Sequence, residues 1–544
     1  MTGTFWAFVP AIVAILLALI TKQVYVSLFF GIFVGGMFLA GGNPIEAIGT
    51  IFTVMSEKVG GNVPIIAFLV ILGILVILMQ KSGGSQAYGR WAAKKIRSEK
   101  GATAATAALG CVIFVDDYFN CLTVGSVMRP LTDKYKVSRS KLAWLIDSTA
   151  APICIIAPIS SWAAAVAGEL EGNSLSVFIS TIPFNVYAIL TIIMVFTFCF
   201  LKLDFGKMRK HEYIAKTTGD LNAGSTDLPT EEKIDFVPKA NAKVQYLLIP
   251  VIILILCCIG GMIYVGYFYN WDTYTLGKVP QVSNVIDAFS SCDAGLSLAI
   301  GSTVALIIIS VYYMAMRALS FKEITESFTQ GFKTMVPAIL ILTFAWTLSG
   351  IMGAKGGYLD AQGFVETSLS NINLAWLFPA VFFALACGIA FATGTSWGTF
   401  GVLIPIATAI LGIQANTITL LTISATLGGA VFGDHISPIS DTTILASAGA
   451  NCNHVNHVNT QLPYAGLIAV ISFIAYLIGG VCATLGSVLC AVIIWVVALA
   501  LFVGAVFGIK YLNRKQELIP DVIVSDDETE APVEQVQEEV KTEE

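Results

Sequence analysis

The stretch VFGDHISPISDTTIL, Val431–Leu445, contains the features that decide the fold. It lies in the apolar part of the chain, yet it includes Asp434, His435, Pro438 and Asp441. Proline removes a backbone donor and disrupts the preceding helical turn, which frees carbonyl groups. In lipid, free carbonyl groups are tolerated only where protein or a watery cavity covers them. The stretch therefore predicts an interrupted membrane helix that lines a site.

The composition of the whole chain is that of a protein with many membrane spans. Of its 544 residues, 56% are hydrophobic and 12% are charged, and the mean hydropathy is +0.80. A soluble chain of this length needs more charge to cover its surface. Apolar runs of about 17–25 residues can cross a bilayer as helices. We expect all-α spans near 5–21, 24–42, 63–80, 101–115, 177–201, 244–268, 293–316, 336–353, 371–391, 464–485 and 487–510.

The distribution of charge predicts the orientation and the domain boundaries. Lys and Arg concentrate in the loop 81–100, in segment 202–243 and after the last span, which puts all three, and the C-terminus, in the cytoplasm. We predict a first membrane half at 1–203 (core about 63–203), a cytoplasmic linker at 204–243, a second half at 244–510 (core about 336–485) and a disordered acidic tail at 511–544. Nothing resembles a basic nucleic-acid surface, so no nucleic-acid partner is expected.

The two halves share an ordered series of prolines and glycines, which indicates a duplication. The matched positions are Pro64 with Pro337, Gly83–Gly84 with Gly356–Gly357, Pro130 with Pro405, and Pro158 with Pro438. The loop after the first glycine pair is strongly basic, whereas the loop after the second is not, so the repeats are predicted to be inverted. Inverted repeats with broken helices are typical of secondary transporters. A spurious match between apolar segments rich in Pro and Gly is the alternative.

Each half has one zone where apolar runs are short and polar side chains cluster. The zones contain the paired elements Pro158-Ile159-Ser160-Ser161 and Pro438-Ile439-Ser440-Asp441. Hydroxyl groups beside free carbonyls suit a small hard cation such as sodium, the only metal expected here. The candidate cation-binding or substrate-binding residues are Asp117, Asp147, Ser160, Ser161, Thr395, Ser396, Asp434, Ser440, Asp441 and Thr442. The candidates for handling a proton or an anion are Asp116, Arg129 and His435, and Glu169 is the remaining ionisable residue of these zones.

Structural roles compete with these functional interpretations, although charges inside a membrane are usually paired or functional. Asp147, Asp434 and Asp441 could each cap a helix. Arg129 could neutralise a carboxylate, hold an anionic substrate or lie at the membrane edge. Asp116 and Asp117 are adjacent, so they cannot both face one cavity, and we favour Asp117. His435 could carry a proton, because its unperturbed pKa is near neutrality, or it could be a paired structural residue.

Two long segments carry a family resemblance. Residues 433–465, GDHISPISDTTILASAGANCNHVNHVNTQLPYA, and residues 114–162, which begin FVDDYFN and end PISSW, resemble the NhaC-type sodium/proton antiporter family of the ion transporter superfamily. The likeness covers most of residues 1–510. It implies two inverted repeats, each with a re-entrant hairpin and a broken helix, and an elevator-type movement of a transport domain. It also implies a homodimer in a bacterial-type cell membrane.

We therefore predict a secondary active transporter rather than an enzyme, exchanging sodium for protons by alternating access. Sodium and protons are the coupling ions, and no other cofactor is expected. The alternative is a sodium-coupled transporter or exchanger of a small carboxylate or amino acid, because the family resembled includes such carriers. A membrane metalloprotease at His454 and His457 is a third class, but the sequence has no H-E-x-x-H helix to supply a catalytic base.

Overall fold

A computed structural model describes residues 2–21, 23–170, 174–225, 242–270, 275–276, 285, 288, 292–353, 358–361, 364, 374–412, 416–438 and 440–514. The helices of the first half are α1 Val9–Thr21, α2 Val24–Leu39, α3 Pro44–Gly61, α4 Val63–Lys81, α5 Gly84–Lys95, α6 Glu99–Val112, α7 Asp117–Lys134, α8 Arg139–Asp147, α9 Ala151–Cys154, α10 Ser161–Glu169, α11 Ser174–Thr181, α12 Val186–Leu201 and α13 Gly206–Thr218. Those of the second half are α14 Gln245–Phe268, α15 Ala294–Ala315, α16 Phe321–Met352, α17 Phe378–Thr393, α18 Ser396–Leu411, α19 Thr417–Ile436, α20 Asp441–Ala450, α21 His454–Cys482 and α22 Ser487–Arg514. Short 3-10 turns occupy Phe5–Phe8, Ile182–Phe184, Ala375–Leu377 and Ala483–Leu485, and a two-residue antiparallel ladder pairs β1 Tyr269–Asn270 with β2 Thr275–Leu276.

The all-helical class predicted from the sequence is confirmed in the described residues, apart from the short ladder. Eight described helices are long and apolar enough to cross a membrane, or up to ten if each of two bent helix pairs counts as one span. Eleven spans were expected. The expected span near 101–115 corresponds to α6, which has only 14 residues, and the one near 5–21 contains a shorter apolar helix, Phe5–Leu17. Both are short for a complete crossing.

The turn between α2 and α3 illustrates how the sequence sets local direction. Gly41 and Gly42 have positive φ angles of 59° and 95°, a conformation that glycine adopts without steric cost. The side chain of Asn43 then caps α3 by accepting a hydrogen bond from the Ile45 amide at 3.1 Å, and Pro44 occupies the first helical position, where its missing N–H costs nothing. As a result, α3 leaves α2 at an angle of 111°.

Helix α19 lies at the centre of the protein. Of its most apolar stretch, 83% is buried, compared with 22% for α22. Gly429 and Gly433 allow α19 to lie directly against α17, since a methyl group on either would come within 2.9 Å of the side chains of Ala386 and Ala390, respectively. The end of α19, which carries Asp434, is therefore held deep in the interior.

Helix α13 lies within the predicted linker and is fastened by a buried lysine. Lys141 Nζ lies 2.7 Å from Asp204 Oδ2 and 3.7 Å from Glu212 Oε2. Burial alone would lower the pKa of Lys141, but the two carboxylates outweigh that effect and raise it above its ordinary value. The lysine therefore stays charged and links α8 to α13. Residues 226–241 of the predicted linker and 515–544 of the predicted tail lie outside the described residues.

Helices α7 and α20 meet at a pair of glycines, and this contact is testable. A methyl group at Gly125 would lie 2.6 Å from the Cα atom of Gly449, so we expect Gly125→Ala to destabilise the protein by about 1–3 kcal/mol through overpacking. In the matched control Gly388→Ala, the added methyl meets no atom within 4 Å, and helix propensity favours alanine. Thermal unfolding in detergent compares the two. Equal melting temperatures for Gly125→Ala and the wild type would contradict this packing.

Candidate functional site

The second-half P-I-S element forms an interruption between α19 and α20. Ser440 is the N-cap residue of α20, and its hydroxyl accepts a hydrogen bond from the Thr443 amide at 3.1 Å. The Thr443 hydroxyl donates to the carbonyl of Ser437 at 3.2 Å. The Ser437 hydroxyl in turn donates to the carbonyl of Phe391 in α17 at 2.7 Å. Hydroxyl groups thus satisfy backbone groups at the interruption around Pro438, as an apolar surrounding requires.

The first-half P-I-S element forms an interruption between α9 and α10. Ser160 is the N-cap residue of α10, since its hydroxyl accepts from the Ala163 amide at 3.0 Å and donates to the Cys154 carbonyl at 2.8 Å. The Ser161 amide donates to the carbonyl of Val115 at 2.9 Å, in the segment between α6 and α7. The Ser161 hydroxyl is buried and has no hydrogen-bond partner among the described residues. In both P-I-S elements, therefore, the first serine caps a short helix.

Asp434 is the centre of a buried cluster built from three helices. Its Oδ2 atom accepts hydrogen bonds from the hydroxyl of Ser396, the first residue of α18, at 3.0 Å and from the hydroxyl of Thr442 in α20 at 3.1 Å. The side chain is 1% exposed. Its Oδ1 atom has no hydrogen-bond partner in the part of the chain that the structure describes. The Asp434 cluster (Asp434, Ser396 and Thr442) thus presents one carboxylate oxygen that is not committed to a described neighbour.

A second buried cluster surrounds Asp147, the last residue of α8. Its Oδ2 atom accepts a hydrogen bond from Gln461 Nε2 at 2.6 Å and lies 3.4 Å from His457 Nε2. The Nε2 atom of His435 lies 4.0 Å from Asp147 Oδ1, and its Nδ1 atom is 2.9 Å from the hydroxyl of Tyr187. The Asp147 cluster (Asp147, His435, His457, Gln461 and Tyr187) therefore adjoins the Asp434 cluster through the adjacent residues 434 and 435.

Two tryptophans connect the first-half and second-half interruptions. Trp162 Nε1 donates a hydrogen bond to Asp117 Oδ2 at 2.9 Å. The Trp162 ring lies 5.8 Å from the ring of Trp397, and both contact Phe400. Trp397 follows Ser396 of the Asp434 cluster in the sequence. The tryptophan pair (Trp162 and Trp397) therefore joins Asp117 to the neighbourhood of Asp434 through a buried aromatic contact.

The remaining predicted residues are distributed around these clusters. Thr395 is the N-cap residue of α18. Asp116 is buried directly before α7, and its carbonyl accepts from the Asn120 amide. Arg129 lies in α7 twelve residues after Asp117, about 18 Å along the helix axis, so the structure does not bring it to the clusters. The side chain of Asp441 lies outside the described residues.

The capping alternatives for the aspartates do not agree with the geometry. Asp147 is at the C-terminal end of α8, and Asp434 is in the last turn of α19, whereas a capping carboxylate belongs at a helix N-terminus. The N-cap of α20 is Ser440 rather than Asp441. Asp147 and Asp434 instead accept hydrogen bonds from side chains of other helices.

Sequence reasoning missed Gln461 and Asn120, which organise the site, and considered His454 as a residue of a metalloprotease. Gln461 Nε2 donates to Asp147 and also lies 2.8 Å from the His435 carbonyl; its position four residues after His457 in an apolar helix was the available signal. Asn120 Nδ2 donates to the carbonyls of Gly110, Ile113 and Thr149 at 2.7–3.1 Å. His454 contacts the Pro438 carbonyl at 2.7 Å and the Ser447 hydroxyl at 3.1 Å. These contacts brace the interruptions.

The electrostatic character of the site follows from its hydrogen bonds. Asp117, Asp147 and Asp434 are each at most 1% exposed. Burying an ionised carboxylate without partners costs many kcal/mol, but indole, amide, imidazole and hydroxyl groups surround these three. A buried carboxylate that accepts some hydrogen bonds but has further capacity to accept can hold a proton or a small cation.

Comparison with known proteins identifies the family. The sequence model described as the Na+/H+ antiporter family matches residues 163–481, more than half of the chain. The chain is 37% identical over 501 residues to an uncharacterized protein of Haemophilus influenzae, covering 88% of this chain and 91% of that protein. It is 30% identical over 181 residues to the Na+/H+ antiporter NhaC of Bacillus subtilis (30% of this chain, 37% of that protein). It is 32% identical over 165 residues to the malate-2H+/Na+-lactate antiporter of the same organism (30% and 33%).

These matches confirm the NhaC-type family resemblance, and the matched residues 163–481 include the segment 433–465. They also agree with the apolar helices, which indicate a multi-pass membrane protein. The chain therefore belongs to the Na+/H+ antiporter family and is a membrane transporter of the antiporter class.

Proposed function

We propose that the protein exchanges sodium for protons by alternating access, with Asp434 as the residue that binds either ion. The observation that carries this proposal is the Asp434 cluster. One oxygen of a fully buried carboxylate is held by Ser396 and Thr442, while its second oxygen has no partner among the described residues. Such a carboxylate can bind a proton or a sodium ion but not both, which by itself produces exchange.

The chemistry of the surrounding groups supports sodium as the cation. Sodium is a hard ion that prefers oxygen ligands, as calcium and magnesium do. The hydroxyls of Ser396, Ser440 and Thr442 lie around Asp434, and Ser161 contributes a buried hydroxyl in the other half. Carbonyl groups at the two interruptions add further oxygen atoms. Asp117 is connected to the same region by its hydrogen bond to Trp162 of the tryptophan pair. We assign Asp117 a supporting role in cation binding.

The paired geometry of the two halves supports alternating access through inverted repeats. Ser160 and Ser440 cap the corresponding short helices α10 and α20. We assign residues 1–203 and 244–510 to the two repeats, joined by the cytoplasmic linker 204–243 and followed by a cytoplasmic tail at 511–544. Helices α7 to α10 and α18 to α20 form the part that moves, elevator-fashion, in a homodimer.

The Asp147 cluster is assigned to proton handling beside the sodium site. His435 lies between Asp147 and the Tyr187 hydroxyl, so a proton can be exchanged along this chain of groups. Imidazole suits this role because one of its ring nitrogens can donate a hydrogen bond while the other accepts one. Gln461 fixes Asp147 and the His435 carbonyl simultaneously. Asp116 and Arg129 are not used directly in this scheme.

The alternative is coupled transport of a small carboxylate or amino acid. The relative named as a malate-2H+/Na+-lactate antiporter favours it, because that name combines sodium, protons and organic acids. A relative named as the arginine/ornithine antiporter ArcD of Halobacterium salinarum is 38% identical over 119 residues, 21% of this chain and 24% of that protein. Under this alternative, the same carboxylates bind sodium while the solute occupies the space between the interruptions.

Asp434→Asn tests the shared ion site. The amide retains the volume and can still accept a hydrogen bond, but it carries no charge, so we expect apparent sodium affinity to fall about tenfold to a hundredfold, in line with the 1.5–3 kcal/mol typical of charged hydrogen-bonding groups. Sodium-dependent proton flux in proteoliposomes measures this. The matched control is Asp220→Asn, in the loop after α13, which should leave flux unchanged. Full flux in Asp434→Asn would exclude Asp434 as the exchange site.

Gln461→Met tests whether the hydrogen bond from Gln461 orients Asp147. It removes the hydrogen bonds to Asp147 and to the His435 carbonyl without changing the charge, so we expect a loss of about 1–3 kcal/mol in the interaction that orients Asp147. The maximal rate and its pH profile should change, whereas melting temperature should change little. Gln330→Met, at an exposed position of α16, is the control. A pH profile identical to that of the wild type would show that Gln461 does not position a proton-handling group.

Thermal stabilisation distinguishes the two candidate functions. A ligand at a hundredfold excess over its dissociation constant stabilises a protein by about 2.7 kcal/mol. Sodium alone should therefore raise the melting temperature if the protein is a sodium/proton antiporter. If stabilisation requires malate, lactate or an amino acid in addition to sodium, the alternative is favoured. Choline chloride at equal ionic strength controls for salt effects.

A further inference from the structure

Glu169 is a buried carboxylate that the proposed sodium site does not use. It ends α10, eight residues after Ser161, about 12 Å along the helix axis from the first-half interruption. It is 6% exposed. Among the residues that the structure describes, which stop at 170 and resume at 174 here, neither of its carboxylate oxygens has a hydrogen-bond partner.

Glu169 lies where α10 and α18 meet helices of the other group. A methyl group at Gly168 would come within 3.1 Å of the indole nitrogen of Trp346 in α16 and of Ile65 Cδ1 in α4. A methyl group at Gly401 in α18 would lie 3.9 Å from Glu169 Oε1. The carboxylate therefore lies where α10 and α18 meet α4 and α16.

The helices around Glu169 do not bring a positive charge to it. The helices α11 and α18 contain no Asp, Glu, Lys, Arg or His; α15 contains only Tyr312 and Tyr313, and α9 only Cys154, as weakly acidic groups. The single charged residue of α4 is Lys81, sixteen residues from Ile65, about 24 Å away along the axis.

The other charged groups near this interface are also accounted for. In α16, the charged residues Lys322, Glu323, Glu326 and Lys333 precede Trp346 by 13 residues or more. Lys58 of α3 packs on Gly350, one turn beyond Trp346, and among the described residues neither oxygen of Glu169 has a hydrogen-bond partner. Asp293 caps α15 by accepting from the Leu296 amide at 2.6 Å; it is close to Ile65 and adds only negative charge.

An ionised carboxylate in such surroundings is disfavoured, because burial penalises the charged form and the described helices around it bring no cationic side chain to it. In this conformation the surroundings of Glu169 favour its protonated form. The proton can be released only when the carboxylate reaches water, which requires α10 and α18 to move relative to α4 and α16.

We propose that Glu169 is a second proton-binding site, separate from Asp434, whose protonation permits the two helix groups to pack as they do here. This inference rests on the proposed alternating-access function, because it needs the two groups to move. The step is a simple proton equilibrium: the carboxylate takes one proton from water when exposed, and the resulting carboxylic acid enters the apolar interface. At high pH the side chain of Glu169 is ionised, and its burial in the apolar interface costs more free energy. The transport cycle therefore slows.

Glu169→Gln, which imitates the protonated form, tests this site. Sodium–sodium exchange in proteoliposomes needs no net transfer of protons. Its rate therefore reports how fast the two helix groups move relative to each other. In the wild type we expect its rate to fall at alkaline pH, by up to about tenfold for each pH unit above the pKa of Glu169. Glu169→Gln should retain the rate across this range. Glu46→Gln, at an exposed position in the first turn of α3, is the matched control and should behave as the wild type does.

A second measurement separates this inference from the sodium site. Thermal stabilisation by sodium should be equal in Glu169→Gln and the wild type, whereas Asp434→Asn should lose it. Infrared spectroscopy of the wild type at neutral pH should show the carbonyl band of a protonated carboxylic acid that Glu169→Gln lacks. The inference is wrong if the infrared band is unchanged in Glu169→Gln. It is also wrong if the sodium–sodium exchange rate of Glu169→Gln falls at alkaline pH as that of the wild type does, even when Asp434 binds sodium as proposed.

Discussion

One constraint governs the structure: where a helix is interrupted inside an apolar protein, the freed backbone amides and carbonyls must still form hydrogen bonds. Two P-I-S elements break the helices, and in each one a serine, Ser160 or Ser440, caps the helix that follows. Without such caps, the free amides and carbonyls would each cost several kcal/mol in this environment. The hydroxyls that solve this structural problem are also oxygen ligands, so the same residues that allow the interruptions supply a site.

Around these interruptions, each buried carboxylate is assigned different partners. Asp434 is held by hydroxyls, Asp147 by an amide and imidazoles, and Asp117 by an indole. Because neighbouring charges and hydrogen-bond donors decide whether a carboxylate keeps its proton, three chemically similar side chains can take different roles. Glu169 is a fourth case, because no hydrogen-bond partner is found for its carboxylate among the described residues.

The sequence predicted the fold better than it predicted the contacts. Long apolar runs identified the membrane helices, since burial in lipid demands them. Shorter helices such as α6 were harder to judge, because part of their environment is protein rather than lipid. Pro438 and Pro158 marked the interruptions, because proline has a fixed local effect.

The contacts within the site depended on residues far apart in the chain. Asp147 and Gln461 are 314 positions apart, and a single sequence gives no sign that they meet. Pattern reasoning also suggested helix caps for Asp147 and Asp434, because acidic residues near prolines resemble N-caps. The structure instead puts both at the C-terminal ends of helices, where the partners come from tertiary packing. Arg129 was a reasonable candidate by charge alone, but the length of α7 separates it from the clusters.

The most direct test of the central claim is the release of protons when sodium binds to the purified protein. In weakly buffered solution, adding sodium chloride should acidify the medium in the wild type, because sodium displaces a proton from Asp434, whereas choline chloride should not. The amount released should fall as the starting pH rises and the carboxylate becomes ionised beforehand. Sodium binding without proton release at every pH would contradict competition between the two ions at one carboxylate.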